Sequence, residues 1–191
     1  KEDSFETRKK WVPLEQISVQ MVKAVIASED NRFAQHEGFD TQELRQMLKD
    51  HREKGKRIRG CSTISQQTAK NVFTSGRPTW VRKISEAYFT FLIEKIWGKE
   101  RIMEVYLNVI EMGKGVYGAQ AAAETFFHKD AGQLTRREAA TIAACLPSPL
   151  KRNAGKPSDY VSKRAAKISK MIPNIIYPEW IERKDTATPR R

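Results

Sequence analysis

The stretch Ala27-Ser28-Glu29-Asp30-Asn31-Arg32-Phe33-Ala34-Gln35-His36-Glu37-Gly38 sets an acidic pair, an aromatic, a histidine and a glycine directly behind an apolar run. That run, Ile17, Met21, Val22, Val25 and Ile26, is spaced near the helical repeat. A buried helix from about Leu14 to Ser28 is therefore expected to deliver Glu29 at its C-terminal edge. A carboxylate among aromatic and apolar neighbours is disfavoured as an anion, which lifts its pKa toward the range useful for proton transfer. Taken alone, the stretch reads more simply as a surface Glu-Asp pair ending a helix, with Gly38 as a turn. The rest of the chain decides between the two.

Around this stretch lie 191 residues, 39% hydrophobic and 30% charged, which suits a globular chain with a substantial core. The net charge of +12 calls for an anionic partner: nucleic acid, an anionic membrane or a phosphate-bearing substrate. No apolar run approaches the roughly 18 to 20 residues of a membrane span. The chain opens at Lys1 without a signal peptide, and the expectation is a piece of a longer protein whose leader or anchor precedes it. Cys61 and Cys145 are too few for a disulfide framework and read as buried free thiols. CxxC and HExxH spacings are absent, so a protein-held zinc site is not expected.

Residues 1–12 read as an extended lead-in, and Asp40 as the N-cap of a helix reaching about His51, with Leu44, Met47 and Leu48 as its apolar face. The basic, glycine-bracketed run from Arg52 to Gly60 reads as a mobile surface loop. Ser62 is expected to cap a helix through Phe73. Ile64, Thr68 and Val72 lie on one of its faces, and Thr63, Gln66, Gln67, Lys70 and Asn71 on the other. Amides and hydroxyls outnumber charges on that second face, which favours a wall against a polar ligand over a merely solvated surface. The longest helix, about Thr79 to Trp97, is expected to turn Val81, Ile84, Tyr88, Phe91 and Leu92 to the core and Glu86 to a cleft or solvent. Helices near Lys99–Ile110, Ala119–Phe127, Arg136–Leu146 and Tyr160–Ile172 follow. The third opens with the capping box Thr135-Arg136-Arg137-Glu138, and the proline- and charge-rich end of the chain is expected to fray. No convincing strand alternation appears, so the class is mainly α.

Two carboxylates stand out, Glu29 and Glu86, the second surrounded in sequence by Lys70, Arg77, Arg82 and Lys83. Paired carboxylates flanking an acetal carbon serve both glycosyl transfer and glycoside hydrolysis. A lysine and arginine cluster adds stabilisation for a sugar-pyrophosphate leaving group.

Five ordered blocks carry a resemblance. They are Glu29-Asp30-x-x-Phe33-x-x-His36-x-Gly38; Gly60-Cys61-Ser62-Thr63-Ile64-Ser65-Gln66-Gln67-x-x-Lys70-Asn71; Arg82-Lys83-x-x-Glu86; Lys99-x-x-Ile102-Met103-Glu104-x-Tyr106-Leu107-Asn108; and Gly118-Ala119-x-x-Ala122-Ala123-x-x-Phe126-Phe127. The chain resembles the peptidoglycan glycosyltransferase domain of monofunctional transglycosylases and class A penicillin-binding proteins. The resemblance implies a lysozyme-like fold, with a helical large lobe and a smaller mobile lobe around residues 38–60. The domain would span residues 13–175, with the lead-in 1–12 following a membrane anchor and 176–191 as a tail. It implies an enzyme that polymerises lipid-linked disaccharide (lipid II) into β-1,4 glycan with inversion and release of polyprenyl pyrophosphate.

By the same resemblance Glu29 is the general base and Glu86 the second catalytic glutamate. Asp30, Ser62, Gln66, Gln67, Lys70, Asn71, Arg77 and Lys83 contact substrate, while Glu104 and Asn108 support the cleft. A divalent cation, Mg or Mn, at the donor pyrophosphate is the one cofactor implied. Partners would be lipid II, the growing glycan, the membrane surface and other cell-wall synthases, at the outer face of a bacterial inner membrane, with no nucleic acid. Cys61, Met103 and His128 depart from the family's pattern. Two rivals stand beside this reading: a lytic enzyme cutting the same polymer, and a basic helical nucleic-acid binder. The first leaves the Lys70–Lys83 cluster unexplained, and the second the stripe of amides.

Overall fold

The computed structural model describes residues 7–57, 60, 62–74 and 79–181. Among them eight α-helices carry the fold: α1 (Val19–Glu29), α2 (Thr41–Lys54), α3 (Ile64–Phe73), α4 (Trp80–Ile96), α5 (Gly98–Val109), α6 (Ala119–Phe127), α7 (Arg136–Cys145) and α8 (Asp159–Met171). The mainly α, lysozyme-like class expected from the sequence is what forms. Arg77 and Cys61 lie outside the described residues, as do Ile58 and Arg59 of the basic run.

At the centre stands α1, whose Met21, Val22, Ala24, Val25 and Ile26 are fully buried. It starts later than the apolar spacing implies. Leu14–Gln16 form a separate 3₁₀ turn, and Ser18 caps α1 by accepting from the Gln20 N–H while its hydroxyl donates to the Leu134 carbonyl. The Ser18 side chain satisfies one of the donors that a helix start leaves unpaired, so α1 can begin there. Every residue of α7 from Ala139 to Cys145 is buried, and all but Ile142 are small, so α7 packs closely on both α1 and α8. The Thr135–Glu138 capping box opens it, as expected. On the other side of the molecule α3 packs on α4 and α5.

Several expectations are corrected. A three-stranded sheet exists, β1 (Arg8–Lys9), β2 (Glu111–Gly113) and β3 (Val116–Tyr117), in the order β1-β3-β2. β1 pairs parallel with β3 and β2 antiparallel with β3; strands of two or three residues are too short to show alternation in sequence. The lead-in is thus tied down, and the Val12 backbone is held on both sides by Asn108: its N–H donates to Oδ1 and its carbonyl accepts from Nδ2, each at 2.9 Å. α2 runs three residues past His51 and ends at Gly55 in the left-handed conformation, with Asp50 paired to Lys54 and Lys56. It buries no residue, so Leu44 and Leu48 are exposed. Thr63, not Ser62, caps α3, through a capping box with Gln66. The end of the chain does not fray where it is described, since Ile181 is fully buried.

The largest correction concerns α4. Trp80, Val81, Ile84, Tyr88 and Phe91 are 54 to 85% exposed, whereas Glu86, Thr90 and Ile93 are buried. The helix has apolar residues on two faces, and periodicity cannot choose between them. Stacking of Phe73 on Phe89, with centroids 4.5 Å apart, shows which face docks on α3.

Candidate active site

An open cavity of about 320 Å³ lies between α3 and α4, lined by Ser62, Gln66, Gln67, Lys70, Arg82, Lys83 and Glu86. Larger depressions beside α2 and at β1 gather none of the expected site residues. Glu86 is brought in by α4 and is buried, with Arg82 Nε 3.0 Å from its Oε1 and Lys83 Nζ 3.3 Å from its Oε2. These are i,i+4 and i,i+3 pairs on a single helix, so the local sequence suffices to build them.

Glu29 ends α1 and joins the cavity through Gln67, whose Nε2 donates to its Oε2 at 3.3 Å. Burial pushes the Glu29 carboxyl above the ordinary value, while hydrogen bonds from Ser28 and Gln67 and the charge of Arg164 oppose that rise. Tyr106 on α5 donates to Oε1 of Gln67 at 3.3 Å. Burial holds that phenol well above its usual pKa, with the nearby Glu29 and Asp30 adding to the effect. It therefore stays protonated as a donor, and the Gln67 amide must present its NH₂ to Glu29.

Other expected residues serve the frame. Asp30 is buried behind the cavity: one oxygen accepts the Ile64 N–H at 3.0 Å, and both lie about 3 Å from His36 Nε2. This corrects its assignment to substrate contact, because its oxygens are engaged by the fold. Gln66 lines the cavity but accepts the Thr63 N–H within the capping box. Asn71 turns its amide back to the Gln67 carbonyl and does not line the cavity. Arg77 lies outside the described residues. Gly38 is required: its φ is +86°, and a Cβ there would meet Thr90 Cγ2 at 2.9 Å. Glu104 accepts the Leu14 N–H and is paired with Arg101, a supporting role as expected.

Ser28, Tyr106 and Arg164 were given no role in the site from the sequence, whereas Arg82 was read there beside Glu86. Ser28 stands next to Glu29 and Tyr106 lies within a motif block, so both were readable there. Arg164 is 136 positions from its partner Ser28, and nothing local marks it.

Asp30, His36 and Asp40 place ligand-type atoms within 4.8 Å of one another. The Asp40 oxygens are taken by Arg32 and the Glu43 N–H, and those of Asp30 by His36 and Ile64, so a cation there would displace an arginine.

A family described as transglycosylase matches residues 2–172. A biosynthetic peptidoglycan transglycosylase of Bacteroides thetaiotaomicron is 52% identical over 187 residues, covering 95% of this chain and 75% of that protein. Proteins of the same description from Pseudomonas putida and Caulobacter vibrioides are 47% identical over 185 residues and 52% over 161. They cover 97% and 84% of this chain and 78% and 70% of their own lengths.

Proposed function

Because this chain belongs to the transglycosylase family and is a peptidoglycan glycosyltransferase of the cell envelope, we propose that its substrate is a lipid-linked disaccharide, joined in β-1,4 linkage with inversion. Glu29 takes the proton of the acceptor's 4-hydroxyl as that oxygen attacks the donor's anomeric carbon. The bond from that carbon to the pyrophosphate breaks, and polyprenyl pyrophosphate leaves. A base whose pKa is raised by burial is a stronger proton acceptor than a free glutamate. Lys70, Arg82 and Lys83 supply positive charge where the phosphates gain negative charge. The observation that carries the reading is the linkage of Glu29, through Gln67, to a cavity whose other wall holds Glu86 with its two cations.

The residues do not fit a protein-held metal, since Glu86 is a single carboxylate with a cation at each oxygen. A divalent ion would arrive with the pyrophosphate, bound chiefly by its oxygens. No helix among the described residues is long and apolar enough to cross a membrane. The exposed apolar stripe of α4 beside Lys83 is the surface we assign to contact with anionic lipid, next to the donor's lipid tail.

Incubation with lipid-linked disaccharide yields polymer, and a chelator arm reads the cation requirement. Glu29→Gln lowers turnover on the order of 10²-fold or more. Lys70→Ala and Lys83→Ala, both at exposed positions, impair turnover with unchanged thermal midpoints. Fragments from purified glycan, or a salt-sensitive shift of oligonucleotides, in place of polymer would overturn the assignment.

A further inference from the structure

The two oxygens of Glu29 are held differently. Oε2 faces Gln67 on the cavity side, whereas Oε1 accepts from the hydroxyl of Ser28 at 2.9 Å. That hydroxyl has one proton and two acceptors within reach, the other being the Ala143 carbonyl at 3.2 Å. Its oxygen in turn accepts from Nη2 of Arg164, on α8, at 3.3 Å. Arg164 is partly buried and its Nε–H, buried too, has no acceptor among the described residues. A partly buried guanidinium ordinarily pairs with a carboxylate; here its hydrogen bond goes to a serine that touches the base.

We propose that Ser28 and Arg164 are positioning residues for the transfer reaction: Arg164 holds and polarises the Ser28 hydroxyl, which directs its proton to Glu29 and stabilises the ionised base. This rests on the reading of Glu29 as the base. A donor to a hydroxyl oxygen strengthens that hydroxyl's own donation, so the chain Arg164–Ser28–Glu29 favours the carboxylate over the carboxylic acid. When Glu29 takes the acceptor's proton, the Ser28 hydroxyl loses a charged acceptor and can turn to Ala143. It turns back when the proton leaves to solvent. The relay thus opposes the effect of burial, which alone would hold the Glu29 carboxyl higher still. The charged and titratable groups facing the carboxylate are Arg164 from α8, Tyr106 from α5 and its neighbour Asp30. Removing Ser28 or Arg164 leaves Asp30 and burial to act against the charge, so the carboxyl moves further up.

The test is the pH dependence of kcat/KM for polymerisation of lipid-linked disaccharide, whose acid limb reports the base in the free enzyme. Ser28→Ala and Arg164→Gln shift that limb to higher pH and recover activity as pH rises. Ser28→Thr keeps the limb, and Arg164→Lys restores part of it. The double variant Ser28→Ala/Arg164→Gln shifts it by less than the sum of the two, as expected of groups acting in series. An unmoved limb in variants with wild-type thermal midpoints, an equal loss at every pH, or strictly additive shifts would overturn the relay. Activity surviving in Glu29→Gln would remove the base assignment itself, and the relay with it. An inactive Glu29→Gln beside an unmoved limb removes the relay alone.

Discussion

Glu29 sits where burial opposes its charge, and that has a thermodynamic consequence separable from catalysis. Its carboxyl is raised above the ordinary 4.5 chiefly by burial. Below that pH both folded and unfolded chains hold the proton. As pH rises from 4.5 through the folded value, the unfolded chain ionises more readily, so the native state loses stability. Glu29→Gln keeps the shape and has no charge to bury. It is expected to be inactive yet to unfold at a higher temperature than the wild type at pH 8, the gap closing as pH falls to 4.5. Calorimetry across pH reads this directly, and a constant gap would show that Glu29 carries no raised pKa. The buried Cys145 thiol, pushed up to about 11 by desolvation, is the inert counterpart of such a group.

At the scale of elements, α6 and α4 each break a local rule. α6 ends at His128, which has φ 55° and whose N–H reaches the carbonyls of Ala123 and Glu124. Glycine suits that left-handed position without strain, and the penalty for an L side chain is about 1 kcal/mol. His128→Gly is expected to raise the stability of the fold by up to about that amount, measured by denaturant unfolding. Unchanged or lowered stability would mean that the imidazole makes a compensating contact. α4 presents Val81 and Ile84 to solvent, on a face left exposed among the described residues. Val81→Gln with Ile84→Gln should leave the thermal midpoint nearly unchanged, surface substitutions contributing within about 0.5 kcal/mol, while weakening cosedimentation with anionic vesicles. Undiminished sedimentation would remove this face from the membrane contact we assign to it.

Across the whole molecule the motif blocks hold one another. Asp30 receives the Ile64 N–H, Gly38 receives the Thr63 hydroxyl, and Lys99 lies 4.5 Å from the centre of the Phe33 ring. Lys99 also pairs with Glu94, which accepts the Ser65 hydroxyl, and Tyr106 reaches Glu29 through Gln67. Asn108, fully buried, closes the frame by pairing with both polar groups of the Val12 backbone and with the Glu104 carbonyl. Asn108→Ala leaves the Val12 N–H and carbonyl without these partners. On the order of 2 kcal/mol of stability should be lost, read as a lower denaturant midpoint at unchanged slope. An unaltered midpoint would mean that water replaces the amide fully.

Features that depend on neighbours along the chain are legible in the amino-acid order. These are the helical class, the capping box at Thr135, the N-cap at Asp40, and the cations within one turn of Glu86. Hydrogen bonds spanning three or four residues follow from helical geometry alone, so they are legible without coordinates. Which face of α4 is buried, that Asp30 serves the frame, and that Arg164 stands behind Ser28 were decided only in the tertiary structure. The reason is common to all three. α4 has two apolar faces of similar strength, and the partners of Asp30 and Arg164 lie 34 and 136 residues away. Packing selects among faces and distant partners through buried area and satisfied polar groups, quantities that no local spacing encodes.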